Sequence, residues 1–228
     1  ASQAQSDLLA FPDAATFQVL PWENDGEAVA NVFCDIQTPS RTPFEGDPRR
    51  VLERAFRKAD EKGYAMNVGP KLEYFYFTDS VHPTPIDHAG YLDLASSDLS
   101  HDLRYATTRA LEAMSIPVQY SFHAAGPSQN GVELRYSEAV SCADSIMPPR
   151  LFIRHIATLH GVFATFMPKP LQGVPGSAMF LYESLLDHKG ENLFWAPKSS
   201  HPAHLSVLAQ HYVAGLLKYA PEFMLITN

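Results

Sequence analysis

The sequence has few cysteines and few charged residues for its length. Only Cys34 and Cys142 occur among the 228 residues, and charged residues make up 18% of the chain. The two cysteines could pair, but in a chain of this size they are more often free buried thiols, which favours a reducing compartment. The net charge is −8 and no lysine or arginine cluster interleaves with aromatic residues, so the sequence predicts no nucleic-acid partner.

Long apolar runs and several common catalytic motifs are also absent. No run of about 18 apolar residues occurs, and Ala1 to Asp7 are polar, so we predict a cytoplasmic protein without a membrane partner. The sequence contains no GxxxxGK[ST] phosphate loop, no GxGxxG, no CxxC pair and no HExxH. These absences exclude the usual nucleotide-binding loops, dithiol sites and helical zinc sites as explanations of its function.

What the sequence does contain is a mixture of helical and strand-like segments. Apolar periodicity and capping residues such as Asp47 and Ser100 predict helices over 47–63, 100–115, 144–163 and 205–219. Strands are predicted at Phe17–Leu20, Val29–Ile36, Lys71–Phe77 and Val118–Phe122, with a return strand through Val132, Leu134 and Tyr136. Short connections between strands indicate an α+β fold, with a mainly antiparallel sheet backed by helices, in one domain over residues 1–228.

Five stretches of the sequence, read in order, carry a family resemblance. They are PDAATFQVLPW (12–22), PFEGDPR (43–49), VGPKLEYFYF (68–77), GPSQNGVELRYSEAVSCA (126–143) and HGVFATFMPKPLQGVPGSAM (160–179). They resemble the catalytic domain of glutamine synthetase, and ATFMPKP followed by a GSxM loop is highly specific for that family. The resemblance implies a curved antiparallel sheet forming an active-site funnel. The family converts glutamate, ammonia and ATP to glutamine through a γ-glutamyl phosphate.

The resemblance also implies two or three magnesium or manganese ions, held by carboxylates and one histidine. Magnesium prefers oxygen ligands, and a strand places residues i and i+2 on one face, so a GPExE pattern directs two glutamates into one pocket. Here that pattern has Lys71 in place of the first glutamate and keeps Glu73. Three further family ligand positions have changed, and they are Ala124, Gly131 and Phe180. We therefore expect no metal or other cofactor for this chain and assign it no catalytic residue.

Four positions match functional positions of the family, and each also has a structural explanation. Glu73 keeps a metal position, but beside Lys71 it could form an ion pair. Tyr136 and Ser184 match positions near the nucleotide, although Tyr136 could be a core residue of its strand and Ser184 an ordinary turn or helix hydroxyl. Gly176 matches the glutamate-binding loop. The resemblance further implies that the family's N-terminal β-grasp domain and arginine-rich C-terminal tail are not part of residues 1–228.

Three hypotheses follow for the function of the chain. The first is a catalytically inactive derivative of the family domain, whether a pseudoenzyme, a fragment or an engineered scaffold. The second is an active ATP-dependent carboxylate–amine ligase that takes its missing parts from another chain and uses Glu133 as a new ligand. The third is a homo-oligomeric binding or assembly module, because the family forms rings.

The pattern at Lys71 and Glu73 makes a specific structural prediction. The two side chains project from the same strand face, with Cβ atoms about 7 Å apart. We predict that the Lys71 ammonium takes the place of a divalent cation and lies within hydrogen-bond distance of the Glu73 carboxylate. The alternative is that Lys71 extends to solvent and contributes little.

Overall fold

A computed structural model describes residues 7–24, 26–91, 93 and 99–227. The strands are β1 (Leu9–Pro12), β2 (Gln18–Asn24), β3 (Glu27–Asn31), β4 (Cys34–Gln37), β5 (Ala65–Phe77), β6 (Val118–His123), β7 (Gln129–Leu134), β8 (Ser137–Glu138), β9 (Phe163–Thr165) and β10 (Met179–Leu186). The helices are α1 (Pro48–Asp60), α2 (Leu99–Ala113), α3 (Ala139–Leu159) and α4 (Val207–Thr227). Within the described part of the chain, no helix is long and apolar enough to span a membrane.

The main sheet has the strand order β10-β5-β7-β6, and β8 and β9 also pair with β5. The pairs β5–β7, β6–β7 and β5–β9 are antiparallel. Two small antiparallel pairs, β1–β4 and β2–β3, complete the strand pairing of the described residues. The predicted α+β class with a mainly antiparallel sheet is therefore confirmed.

The chain divides into two compact units. The first comprises residues 1–54 and 68–182, and the second comprises residues 55–67 and 183–228. In the second unit, the hydroxyl of Tyr212 on α4 donates to the carboxylate of Glu183 at 2.6 Å. The prediction of one domain over residues 1–228 stays a prediction.

The core of the first unit lies between the main sheet and helices α2 and α3. Alternate residues of β5 project to this side, because successive side chains of a strand point to opposite faces. Leu72, Tyr74 and Tyr76 are buried there against Leu103 of α2 and Phe152 of α3. The β5 residues between them, including Lys71 and Glu73, therefore belong to the opposite face of the sheet.

Asp47 begins α1 as the sequence predicts, since its carboxylate accepts the backbone N–H of Arg49 at 3.0 Å. The next predicted cap is wrong: α2 already includes Leu99, so Ser100 lies inside the first turn and its hydroxyl donates to Asp87. The predicted strand Val29–Ile36 is interrupted, because the Phe33 backbone N–H donates to Thr16 Oγ1 instead of continuing a ladder.

Helix α3 begins five residues earlier than the sequence predicts. The Glu138 carboxylate accepts the backbone N–H groups of Val140 and Ser141, both at 3.1 Å, and this cap starts the helix at Ala139. At the other end of the helix, Gly161 has a φ of 68°, which ends the helical conformation before the predicted limit. Helix α4 continues to Thr227 with Pro221 inside it, whereas the prediction ended at 219.

Arg49 joins several elements of the first unit through its guanidinium group. Two of its nitrogens donate to Asp144 of α3 at 3.1 and 3.0 Å, in a bidentate arrangement. It also donates to Asp35 of β4 and to Asp13, both at 2.8 Å. These hydrogen bonds, that to Asp144 foremost, raise the pKa of Arg49, so its charge is permanent. Cys34 and Cys142 are both free thiols, as predicted.

Candidate functional site

The strand register brings several of the changed family positions to one face of the main sheet. Across β5 and β7, Lys71 is opposite Glu133 and Glu73 is opposite Gly131. Across β6 and β7, Phe122 is opposite Gly131. Residues that are distant in sequence therefore lie next to the side chains of Lys71 and Glu73 on this face of the sheet.

The Lys71 ammonium lies among aromatic rings. Its Nζ atom is 4.0 Å from the ring centroid of Phe180, 5.7 Å from that of Phe122 and 5.9 Å from that of Tyr182. The negative faces of aromatic rings attract cations at such distances, and more strongly where water is excluded. The side chain is only 17% exposed. The alternative that Lys71 extends freely to solvent is therefore wrong.

Lys71 and Glu73 form an ion pair, but not a hydrogen bond. Lys71 Nζ is 3.8 Å from Glu73 Oε1, which confirms the predicted pairing and contradicts the predicted hydrogen-bond distance. Two contacts explain the longer separation. The ring of Phe180 holds the ammonium, and the Glu73 Oε2 atom accepts the Ala178 backbone N–H at 3.1 Å.

The backbone at Gly131 packs so closely against a neighbouring ring that no side chain fits there. An ideal Cβ atom built on Gly131 would lie 2.2 Å from Cζ of Phe122, which is too close for any real contact. The Phe122 ring thus occupies the space into which a side chain at residue 131 would project. Nearby, Ala124 is buried and its backbone N–H donates to the carbonyl of Gln129 at 2.7 Å.

The loop at Gly176 is closely packed against the backbone. A Cβ on Gly176 would lie 2.5 Å from the carbonyl oxygen of Pro168, and the Ser177 N–H donates to that same oxygen at 2.7 Å. Gln129 Nε2 donates to the Gly176 carbonyl at 2.9 Å. Glycine at residue 176 is therefore explained by packing, and its match to the glutamate-binding loop stays a prediction.

The two positions that match nucleotide contacts are found in different units. β7 ends at Leu134, so Tyr136 is outside the strand and 51% exposed, and the explanation of Tyr136 as a strand core residue is wrong. Its ring packs instead against Gly69, where an added Cβ would lie 2.8 Å from Tyr136 Cε2. Ser184 is on β10 in the second unit and is half-buried.

Sequence reasoning missed a buried group centred on His123. The ring donates from Nε2 to Asp87 Oδ1 at 3.0 Å and from Nδ1 to the Ala124 carbonyl at 2.8 Å. Asp87 also accepts from the Ser128 N–H at 2.9 Å and from the Ser100 hydroxyl. Because both ring nitrogens face acceptors, these contacts favour the protonated form of the His123 imidazole. No local sequence signal indicates this, since Asp87 is 36 residues away.

The pKa values of this pair predict the pH dependence of stability. Burial opposes the charge on His123, but the hydrogen bonds to Asp87 and Ala124 raise the pKa of the imidazole overall. Burial alone would raise the pKa of Asp87. The hydrogen bonds that His123, Ser100 and Ser128 donate to its carboxylate have the larger effect and hold the pKa well below its usual range.

A raised histidine pKa contributes stability that is complete below the unfolded value of about 6.5 and is lost as pH rises through the folded value. The lowered pKa of Asp87 contributes stability above about pH 4, which is lost only at lower pH.

We expect His123→Gln to destabilise the protein more at about pH 6 than at about pH 9 in urea unfolding. The exposed control His82→Gln should show no such difference, and equal losses at both pH values for His123→Gln would contradict the assignment.

Comparison with known proteins agrees with this arrangement of fold and motifs. A family model described as glutamine synthetase, catalytic domain, matches residues 45–228. The chain belongs to the glutamine synthetase family. It is 39% identical to a glutamine synthetase of Methanosarcina mazei and 40% identical to one of Mycolicibacterium smegmatis. Each match covers 98% of this chain, and 50% and 51% of those two relatives, so the chain spans about half the length of the curated relatives it matches.

Solved structures of the glutamine synthetase family show the same fold. A crystal structure of a novel glutamine synthase homolog and a cryo-EM structure of Plasmodium falciparum glutamine synthetase each superpose with a TM-score of 0.84. Their sequence identities are 21% and 24%, and each match covers 96% of this chain, and 50% and 49% of the two solved chains. At these low sequence identities, the structural similarity shows a shared fold and is not evidence of a shared activity.

The side chains at the positions that the family resemblance assigns to metal ligands do not fit a divalent cation. Magnesium requires several oxygen ligands, whereas the surroundings of Glu73 present the Lys71 ammonium group at 3.8 Å and the aromatic ring of Phe180. Glu133, the substitute ligand considered from the sequence, accepts the Tyr120 hydroxyl at 2.7 Å, which helps to raise the pKa of Tyr120 to about 12. In the described ranges, no three His, Cys, Asp or Glu residues cluster as metal ligands would.

Proposed function

We propose that this chain is a glutamine synthetase-type catalytic domain that no longer carries out the family's metal-dependent ligase reaction. The observation that carries the proposal is the position of Lys71 Nζ, 3.8 Å from the remaining metal-position carboxylate and 4.0 Å from the centre of the Phe180 ring. A fixed positive charge there repels a divalent cation, and phosphoryl transfer depends on such cations for most of its electrostatic stabilisation.

The packing around Lys71 supports the same proposal. The Phe122 ring excludes a side chain at residue 131, and Phe180 contributes a ring where the family resemblance implies a histidine. These changes complement one another, because the rings that replace polar ligands also surround the new ammonium group. Lys71 and Glu73 thus compensate each other's charge in this pocket.

An assay of the purified chain with glutamate, ammonia and Mg-ATP tests the proposal. We expect glutamine formation no greater than that without protein, and no rise in melting temperature when magnesium is added. Turnover that EDTA abolishes would contradict the proposal. It would instead favour an active ATP-dependent carboxylate–amine ligase.

Two variants at residue 71 provide matched controls for the magnesium response. Lys71→Glu places two carboxylates side by side and should lower metal-free stability by about 1–3 kcal/mol, because like charges repel and the ion pair is lost. Added magnesium should then raise its melting temperature. Lys71→Met keeps the aliphatic stem without the charge and should show no magnesium response.

Self-association is a second proposal, and it rests on the apolar surface of α4. Leu225 and Ile226 are each 87% exposed, and Leu217 is 72% exposed on the same helix. Exposed apolar surface of this kind drives association in water. We expect sedimentation velocity to show an oligomer that shifts toward monomer in Leu217→Gln. A monomer at high concentration would contradict this proposal of a homo-oligomeric assembly.

A further inference from the structure

A cavity of about 670 Å³ opens beside the Lys71–Glu73 pair. Its lining includes the aromatic side chains of Tyr91, Tyr120 and Phe122 and the cationic side chain of Arg104. This volume falls within the range of small-molecule sites, which are mainly apolar with a few polar groups that orient the ligand. The cavity is therefore large enough for a small organic molecule even though the metal positions have changed.

Arg104 gives this cavity a buried positive charge. The residue is 8% exposed, and its Nη1 atom donates to Asn130 Oδ1. Asn130 is itself held by a hydrogen bond from its Nδ2 atom to the Ser128 carbonyl, at 3.0 Å. Within the part of the chain that the structure describes, Arg104 forms no ion pair, and Nη1 is its one nitrogen with a hydrogen-bond partner.

Among the described residues, the other charges around the cavity form no ion pair with Arg104. Lys71 is paired with Glu73, and the His123 ring is hydrogen-bonded to Asp87. Asp93 also lines the cavity, but its carboxylate is exposed and is not within ion-pair distance of Arg104. A buried guanidinium stays protonated and is costly without an anion, so the cavity favours a negatively charged ligand.

The shape of the guanidinium and the aromatic lining define that ligand further. The free N–H groups of a guanidinium suit the two oxygens of a planar carboxylate. The aromatic walls favour an apolar or aromatic body attached to that carboxylate. A free phosphate ion could pair with the charge of Arg104, but it has no apolar body to pack against the aromatic rings.

We propose that this cavity binds a small aromatic monocarboxylate through Arg104, without a metal ion or nucleotide. The inference rests on the proposed function in one respect, namely that Lys71 has replaced the metal ions. Asn130 acts as a positioning residue that orients the guanidinium, and the Tyr91, Tyr120 and Phe122 rings surround the apolar body.

Calorimetric titration with phenylacetate in the presence of EDTA tests this inference. We expect saturable binding of phenylacetate and no binding of benzylamine or benzyl alcohol at the same concentrations. Arg104→Met should weaken phenylacetate binding by about ten- to a hundredfold, as expected for loss of charge-assisted hydrogen bonds. Arg109→Met, an exposed arginine on the same helix, is the matched control and should bind like the unmodified chain.

Several outcomes would overturn the inference. These are equal binding of benzylamine, inorganic phosphate binding as tight as phenylacetate, or unchanged affinity in Arg104→Met. If Arg104→Met does not fold, Tyr91→Ala removes a largely exposed ring and should still weaken phenylacetate binding severalfold. Unchanged binding in Tyr91→Ala would also count against the inference.

Parallel titrations with magnesium separate this inference from the proposed function. Phenylacetate binding that appears only with magnesium would overturn both the loss of metal binding and the metal-free site. Absence of binding under both conditions, with no effect of magnesium on melting, would overturn the carboxylate site alone.

Discussion

Arg49→Met is expected to lower the free energy of unfolding by about 3 kcal/mol. The substitution removes a guanidinium whose side chain is 14% exposed and which donates to Asp144, Asp35 and Asp13. Removing one partner of a mostly buried ion-pair network costs about 3–5 kcal/mol, because the remaining charges lose their compensation. The carboxylates retain partial contact with solvent, which places the expected loss at the lower end.

Urea unfolding at neutral pH measures this loss, and Arg54→Met on the same helix is its control. Arg54 pairs with Glu45 at 2.6 Å, but both side chains are exposed, so that pair contributes at most about 1 kcal/mol. A loss for Arg49→Met no larger than that for Arg54→Met would show that the Arg49 network does not stabilise the first unit.

Gly131→Ala is expected to destabilise the protein by about 1–3 kcal/mol, the usual cost of forcing extra atoms into a packed site. The new Cβ would lie 2.2 Å from the Phe122 ring, so that the ring must move. Gly131→Glu, which introduces the carboxylate that the family resemblance implies at this position, should destabilise at least as much, because its side chain meets the same ring. Gly215→Ala on α4 is the control and should stabilise the protein. Nothing lies within 4 Å of the added Cβ, and alanine is more favourable than glycine inside a helix by about 1 kcal/mol.

A double-variant cycle identifies Phe122 as the cause of that destabilisation. In a Phe122→Ala background the obstructing ring is absent, so Gly131→Ala should cost less than it does in the unmodified chain. Thermal unfolding of the four proteins gives the coupling between the two residues. Additive losses would mean that the contact between Phe122 and residue 131 does not limit substitution there.

Much of the fold follows from local sequence patterns. The alternation in Lys71–Phe77 predicts a strand with two distinct faces, and β5 has that form with Leu72, Tyr74 and Tyr76 in the core. The bounds predicted from the sequence are wrong where a contact outside the local pattern determines the secondary structure. Thr16 interrupts the strand predicted over Val29–Ile36, and the Glu138 cap extends α3 toward its N-terminus.

The candidate site was predictable at the level of residue identity. The GPExE pattern singles out Lys71 and Glu73, and the strand period places them on one face, so their pairing could be anticipated. Their detailed geometry could not, because the Phe180 ring and the Ala178 backbone N–H set the 3.8 Å separation. Those partners follow β5 by more than 100 residues.

The sequence alone determined the family and the α+β class, because these depend on residue types within short contiguous motifs. Only the tertiary structure decided that Phe122 fills the space beside Gly131, that His123 is hydrogen-bonded to Asp87, and that Arg104 is buried beside a cavity. These properties depend on which atoms meet across neighbouring elements. Steric exclusion and the cost of a buried charge act over a few ångströms in space, whatever the separation along the chain.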